Sequence, residues 1–272
     1  TNCIAGLYGN PQNQLNYHPE FYGGYQEDNV FQGLVDAFQM IDGKSIDESP
    51  LYNPAKPYEN RDPRLYASIF LPGYTVFRGR LWEGTPLNSN LIGTTGYGWK
   101  KYVTEDYTGA QNSSGDDIIH IRYAEVLLSY LESVLEAGQP VTQALLDETI
   151  NQVRGREAVK MPPITETNPD KLRELVRNER RVEFCLERLI RYMDIRRWGI
   201  FMEVMNTKFY GMKLTDDPDN YTEKKVETVG KYRGHYIAID KTGTIKPENA
   251  LIPIPLYEIN INPSLQQNPG YN

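Results

Sequence analysis

The densest concentration of groups able to do chemistry lies between Arg177 and Trp198, where RNERRVEF is followed by ERLIRYMDIRRW. On one helix, Glu187, Arg191, Asp194 and Trp198 fall at i, i+4, i+7 and i+11, so acid, base, acid and aromatic share a face. Paired carboxylates can hydrolyse a glycosidic bond when they face each other across an open cleft. A general acid also needs surroundings that raise its pKa, whereas each acid here has arginine neighbours that hold it ionised. The pattern therefore reads as a structural ion network. His18, His120 and His235 lie in separate segments without carboxylates or cysteines at metal-ligand spacing. Asp216, Asp217 and Asp219 are interrupted by Pro218 and read as a solvated turn rather than a calcium loop. The chain has no nucleophile elbow, phosphate loop or dinucleotide-binding glycine motif, and no cofactor is implied.

A second set of residues suits recognition rather than reaction. Tyrosine is in excess, with 20 Tyr against 8 Phe and 3 Trp. Its ring offers an apolar face and a polar tip. Tyr8, Tyr17, Tyr22 and Tyr25 lie near the start, followed by Tyr74, Phe77 and Trp82, then Tyr97, Trp99, Tyr102 and Tyr107. Arg78, Arg80, Asn88 and Asn90 share these segments. Guanidinium and amide groups can hydrogen-bond sugar hydroxyls while an aromatic face covers the apolar side of a pyranose. Trp82, Tyr74, Tyr22 and Tyr25 are the candidate stacking residues, with Arg80, Asn88 and Asn90 as polar partners. For any single tyrosine the competing reading is that it pins its own loop.

These residues need a frame, and the chain supplies one in three stretches. Residues 1 to about 116 hold much of the Gly, Pro, Asn and Tyr and read as long ordered loops. A short helix is expected over Asn29–Met40, and a strand over Arg64–Leu71 with a turn at Pro72-Gly73. From about 117 to 205 the apolar period becomes helical. The first helix, from about Ile118 to Ala137, carries a polar stripe of Glu125, Ser129, Glu132 and Glu136. Tyr123, Leu127, Leu131 and Val134 belong to its wide apolar remainder, which predicts packing on several sides. Leu146, Ile150 and Val153 form the seam of the next. A third is capped by Asn168 with Pro169 at its first position. A fourth covers Leu189–Met205. Residues from about 206 to 272 read as turns, a strand over Tyr232–Asp240 and a Pro-rich tail. The fold class is mainly α: tetratricopeptide-like helix hairpins with long irregular loops and a few short strands.

With 272 residues, 29 Lys plus Arg and 36 Asp plus Glu, the formal charge is -7, which argues against nucleic acid as a partner. Apolar runs fall far short of the roughly 20 residues of a membrane span. Cys3 and Cys185 imply neither a disulfide framework nor a metal cluster.

Five stretches in order then resemble the SusD/RagB family. They are Tyr58–Ala67 (YENRDPRLYA), Ile121–Leu128 (IRYAEVLL), Asn178–Phe184 (NERRVEF), Arg191–Trp198 (RYMDIRRW) and Leu251–Pro263 (LIPIPLYEININP). The resemblance runs from about Val35 to Tyr271. It implies a surface lipoprotein of Bacteroidetes-type bacteria that captures an oligosaccharide without chemistry for import by a SusC-like TonB-dependent outer-membrane transporter. It also implies that the whole of residues 1–272 corresponds to the C-terminal region of a protein about twice as long. The N-terminal half and the lipid anchor, the sole attachment to the membrane, would then lie outside this chain. Residues 177–198 become scaffold. A helical-repeat module that binds protein or peptide and no glycan is the alternative, and a glycoside hydrolase dependent on Glu105, Asp116 or Asp117 is a third reading.

Overall fold

A computed structural model of the chain describes residues 17–19, 22–26, 30–84, 95–112, 119, 121–187 and 189–271. Asn88, Asn90, His120, Asp116 and Asp117 lie outside the described residues. The helical period produces its helices where local caps agree with it. Asn168 accepts hydrogen bonds from the backbone N–H groups of Asp170 and Lys171, and Pro169 opens the helix Pro169–Glu183. Replacing Asn168 with alanine should cost about 1 kcal/mol, read as a shift in the urea midpoint at unchanged slope.

Among the described residues the α-helices in chain order are α1 Gln32–Ala37, α2 Pro63–Ser68, α3 Tyr123–Glu136, α4 Gln143–Glu148, α5 Ile150–Arg154, α6 Pro169–Glu183, α7 Ile190–Arg197, α8 Phe201–Met205 and α9 Leu256–Ile261. Strands are short and pair antiparallel: β1 Ile69–Phe70 with β4 Gly98–Trp99, β2 Val76–Phe77 with β3 Arg80–Leu81, and β5 Lys208–Lys213 with β6 His235–Asp240. None of the described helices is long and apolar enough to cross a membrane.

Helix α6 is the shared wall of two cores. Leu172 and Val176 join Leu128, Leu131 and Leu135 of α3 and the predicted seam of Leu146, Ile150 and Val153. Val182 joins Val35 of α1, Leu65 of α2, and Phe38, Ile69, Leu71 and Tyr97. A third, smaller cluster holds Phe70, Phe77 and Trp82.

Several expectations change. Arg64–Leu71 is a helix followed by a two-residue strand, because the Asp62 carboxylate accepts from the Arg64 N–H at 2.9 Å and Pro63 sets the first turn. Within the helix the buried residues, Arg64, Leu65 and Ser68, have helical rather than alternating spacing. The expected second helix is divided at Thr149, and the fourth is divided at Gly199, which has φ 71°. The strand expected from Tyr232 starts at His235. Helix α3 begins at Tyr123, and its outer face departs from the expected packing. Tyr123, Val126 and Tyr130 are exposed, whereas Glu132, assigned to the polar stripe, is buried. Glu132 is held there by Arg197 and Trp198.

Candidate functional site

The charged residues that dominate the sequence form two largely buried ionic clusters, joined through α6, which supplies Glu179 and Glu183 to one and Arg180 to the other. Arg64 reaches Asp62 at 2.7 Å, Glu183 at 2.8 Å and Glu179. Glu183 also accepts from Arg122 and Arg156, both at 2.6 Å, and Glu179 from Arg154 at 2.7 Å. Glu132 accepts from both terminal nitrogens of Arg197 at 2.7 Å and from the Trp198 indole at 2.6 Å, and Asp194 is bidentate to Arg180.

The single-face ladder expected for Glu187, Arg191, Asp194 and Trp198 does not form. Glu187 precedes α7, separated from it by Leu189 at φ 62°, and pairs with Lys101 and Arg122 from other segments. The ionic character of the region does hold. Burial opposes the charge of Glu183, but Arg122 and Arg64 outweigh it and bring its pKa down to about 2. Glu132 is lowered as well: hydrogen bonds from Arg197 and Trp198 overcome the cost of burial. Carboxyls held this firmly ionised cannot serve as general acids. Four of the five family-like stretches meet here, through Arg64, Arg122, Glu183 and Asp194. Among the described residues, no group of three or more His, Cys, Asp or Glu is placed to hold a metal ion.

The predicted recognition residues divide. Trp82 is only 2% exposed and packs against Phe70 at a ring separation of 5.3 Å, so it is core rather than a stacking surface. Its position at the end of the β2–β3 hairpin turns it inward, where the third cluster needs a large ring. Tyr22, 39% exposed, lies under the Arg78 guanidinium at 4.2 Å and meets Phe77 edge-on. Arg78 and Gly79, both at positive φ, make the two-residue turn between β2 and β3. Tyr25 and Arg80 are exposed. Tyr74, 43% exposed, stacks on Tyr66 at 5.3 Å and 21°, with Tyr58 edge-on at 6.1 Å.

That tyrosine trio is fastened from beneath. The Tyr66 hydroxyl donates to the Tyr58 carbonyl at 2.6 Å and accepts from the Arg61 N–H at 3.1 Å. Arg61 is buried and its guanidinium donates to the carbonyls of Val35 at 2.5 Å, Phe38 at 2.8 Å and Pro57 at 2.8 Å. It thereby ties the end of α1 to the loop that carries Tyr58. These bonds fix the loop that carries the rings.

Tyr58 also borders a cleft of about 360 Å³ that the sequence did not reveal. It lies between α1, the 46–58 loop and the turn before β6, and Tyr52, Tyr97 and Tyr232 line it with Asp36. Tyr58 donates to the Tyr97 hydroxyl at 3.3 Å, Tyr97 donates to the Gln32 carbonyl oxygen, and the Gln32 amide donates to Asp36 at 2.7 Å. From the other wall the Tyr232 hydroxyl donates to Asp36 at 3.0 Å. Burial and the Asp36 charge together push the Tyr232 phenol well above its ordinary pKa. Tyr232 is itself stacked on Tyr210 at 4.4 Å. Asp36 and Tyr232 are far apart in sequence and carry no local motif. Nothing in the sequence signals their meeting.

Comparison with known proteins agrees with this architecture. The sequence pattern of the SusD family matches residues 4–271. Among solved structures, a SusD-like carbohydrate-binding protein of Bacteroides fragilis NCTC 9343 is 37% identical, with a TM-score of 0.82 over 93% of this chain and 51% of its own. A second SusD-like protein of the same strain is 28% identical, with a TM-score of 0.72 over 97% of this chain and 51% of its own. The chain therefore spans about half the length of each of these relatives. No match was found among curated proteins. With a helical fold shared with these structures and a match over nearly every residue, this chain belongs to the SusD family.

Proposed function

We propose that the protein is the glycan-capturing component of a cell-surface nutrient uptake system, holding an oligosaccharide for import and performing no chemistry on it. The observation that carries this reading is the exposed Tyr74 ring, stacked on Tyr66 and braced by Tyr58 over the buried Arg61. A flat aromatic face of this kind covers the apolar side of a sugar ring. The carbohydrate-binding description of the 37% identical relative supports the same class of ligand. By family resemblance, the partner is a SusC-like TonB-dependent transporter and the location is the outer surface of the outer membrane, through a lipid anchor outside this chain. Tyr22, Tyr25 and Arg80 are exposed candidates for secondary contacts, while Trp82 is withdrawn into the core.

Affinity electrophoresis in native gels cast with a panel of polysaccharides tests the proposal. At least one polysaccharide should retard the parent protein. Tyr74→Ala should weaken that binding by about threefold to tenfold, the loss expected for one aromatic contact. Unaltered migration of the parent on every polysaccharide, together with co-purification with a transporter, would favour the peptide- or protein-binding reading instead.

A further inference from the structure

The tyrosine-lined cleft beside the platform has a chemical polarity of its own. Its hydrogen bonds run in one direction, from Tyr58 through Tyr97 and Gln32 to Asp36, and the Tyr232 hydroxyl arrives at the same carboxylate. These hydroxyl and amide donors are directed to acceptors within the wall. Each Asp36 oxygen accepts one of the resulting bonds, and a carboxylate oxygen can accept a second. Spare capacity at Asp36 is thus for acceptance, from two donors a short distance apart.

Charge narrows the ligand. Asp36 has no ion pair among the described residues, whereas the cationic groups around the cleft are paired with acids: Lys231 with Asp47 at 2.6 Å, Arg233 with Asp219 at 2.9 Å and Lys213 with Asp216. An anionic ligand would meet the Asp36 carboxylate, and a cationic one would add to the guanidinium groups of the buried Arg61 and of Arg181, whose charges already act on Asp36. A neutral ligand with adjacent hydroxyls meets neither obstacle. A cleft of about 360 Å³ is near the lower end of small-molecule sites, a size suited to the end of a sugar chain rather than to its middle.

We propose that this cleft is a binding subsite for the neutral terminus of a glycan, in which Asp36 accepts hydrogen bonds from two neighbouring hydroxyls while Tyr74 and Tyr66 support the rings that follow. The proposal rests on the glycan-binding reading, and the test separates the two. Parent, Tyr74→Ala, Asp36→Asn and Tyr232→Phe proteins are applied to a microarray of neutral oligosaccharides attached through their reducing ends. The same chains capped with sialic acid or a uronic acid are printed beside them.

The parent should bind neutral termini and reject the acid-capped counterparts. Asp36→Asn should lose about tenfold or more on the neutral chains, as expected for a lost charge-assisted hydrogen bond, and the discrimination against acidic caps should narrow. Tyr232→Phe keeps the ring and removes only one bond to Asp36, so a smaller loss in the same direction tests the site even if Asp36→Asn does not fold. Normal neutral-chain affinity and unchanged discrimination in both variants, with a weakened Tyr74→Ala, would overturn the subsite and leave the platform standing. Failure of the parent to bind any printed glycan would overturn both.

Discussion

Glu183→Gln should be among the most destabilising single substitutions in this chain, at about 3–5 kcal/mol. Glu183 is buried and accepts from Arg64, Arg122 and Arg156. Glutamine fills nearly the same space but carries no charge and presents an amide donor towards one of three guanidinium groups. Removing one partner from a buried ionic cluster leaves uncompensated charge, which costs far more than the intact cluster contributes. At about 2 °C per kcal/mol for a chain of this size, the melting temperature should fall by roughly 6–10 °C.

A pH signature distinguishes this loss from a packing defect. The native pKa of Glu183, about 2, is below the ordinary value of 4.5. Its stabilisation is therefore complete above about pH 4.5 and disappears as the pH falls through about 2, a change on the order of 3 kcal/mol. The difference in unfolding free energy between parent and Glu183→Gln should shrink across that window in urea titrations. A difference that stays constant from pH 5 to pH 2.5 would remove Glu183 from the role given to it.

Features encoded by near neighbours were legible in the sequence. The Asn168-Pro169 start of α6 and the Leu146, Ile150 and Val153 seam rest on contacts within one or two helical turns. The Arg64–Leu71 stretch misled because its apolar residues satisfy alternation and helical spacing alike over so short a run, and the Asp62 cap decides between them. Trp82 misled for another reason: residue type gives the chemistry of a ring but not the face of the hairpin on which it lies. The family-like stretches acquire a physical meaning only in three dimensions. In Tyr58–Ala67, Arg61 fastens α1 while Arg64 fastens α6, so neighbouring residues hold distant elements and the stretch works as a clasp. The cleft was illegible because its walls come from opposite ends of the chain and meet through the Asp36–Tyr232 bond.

That dependence on distant walls makes Gly234 the other position of large expected effect. It has φ 81°, a conformation that L side chains rarely adopt, and a Cβ there would press into the Thr215 carbonyl. Backbone bonds hold the site on both sides: Gly234 N–H donates to Glu227 at 2.7 Å, and Leu214 N–H donates to the Gly234 carbonyl at 2.9 Å. Gly234→Ala must therefore either strain the turn or separate the segments, at about 2–4 kcal/mol. The damage should be local. Hydrogen exchange should accelerate in β5 and β6 while α3 and α6 keep their protection. Tyr232, two residues before the substitution, should lose its stack on Tyr210 and its bond to Asp36, and the glycan binding proposed for the cleft should weaken with it. Gly230 provides the control, because it also has positive φ, at 69°, but a Cβ there meets nothing within 4 Å. Gly230→Ala should cost only the conformational strain, about 1 kcal/mol, and leave binding intact. Equal losses of stability and binding in the two variants would show that strain alone, and not the close approach to Thr215, sets the position of Tyr232 over the cleft.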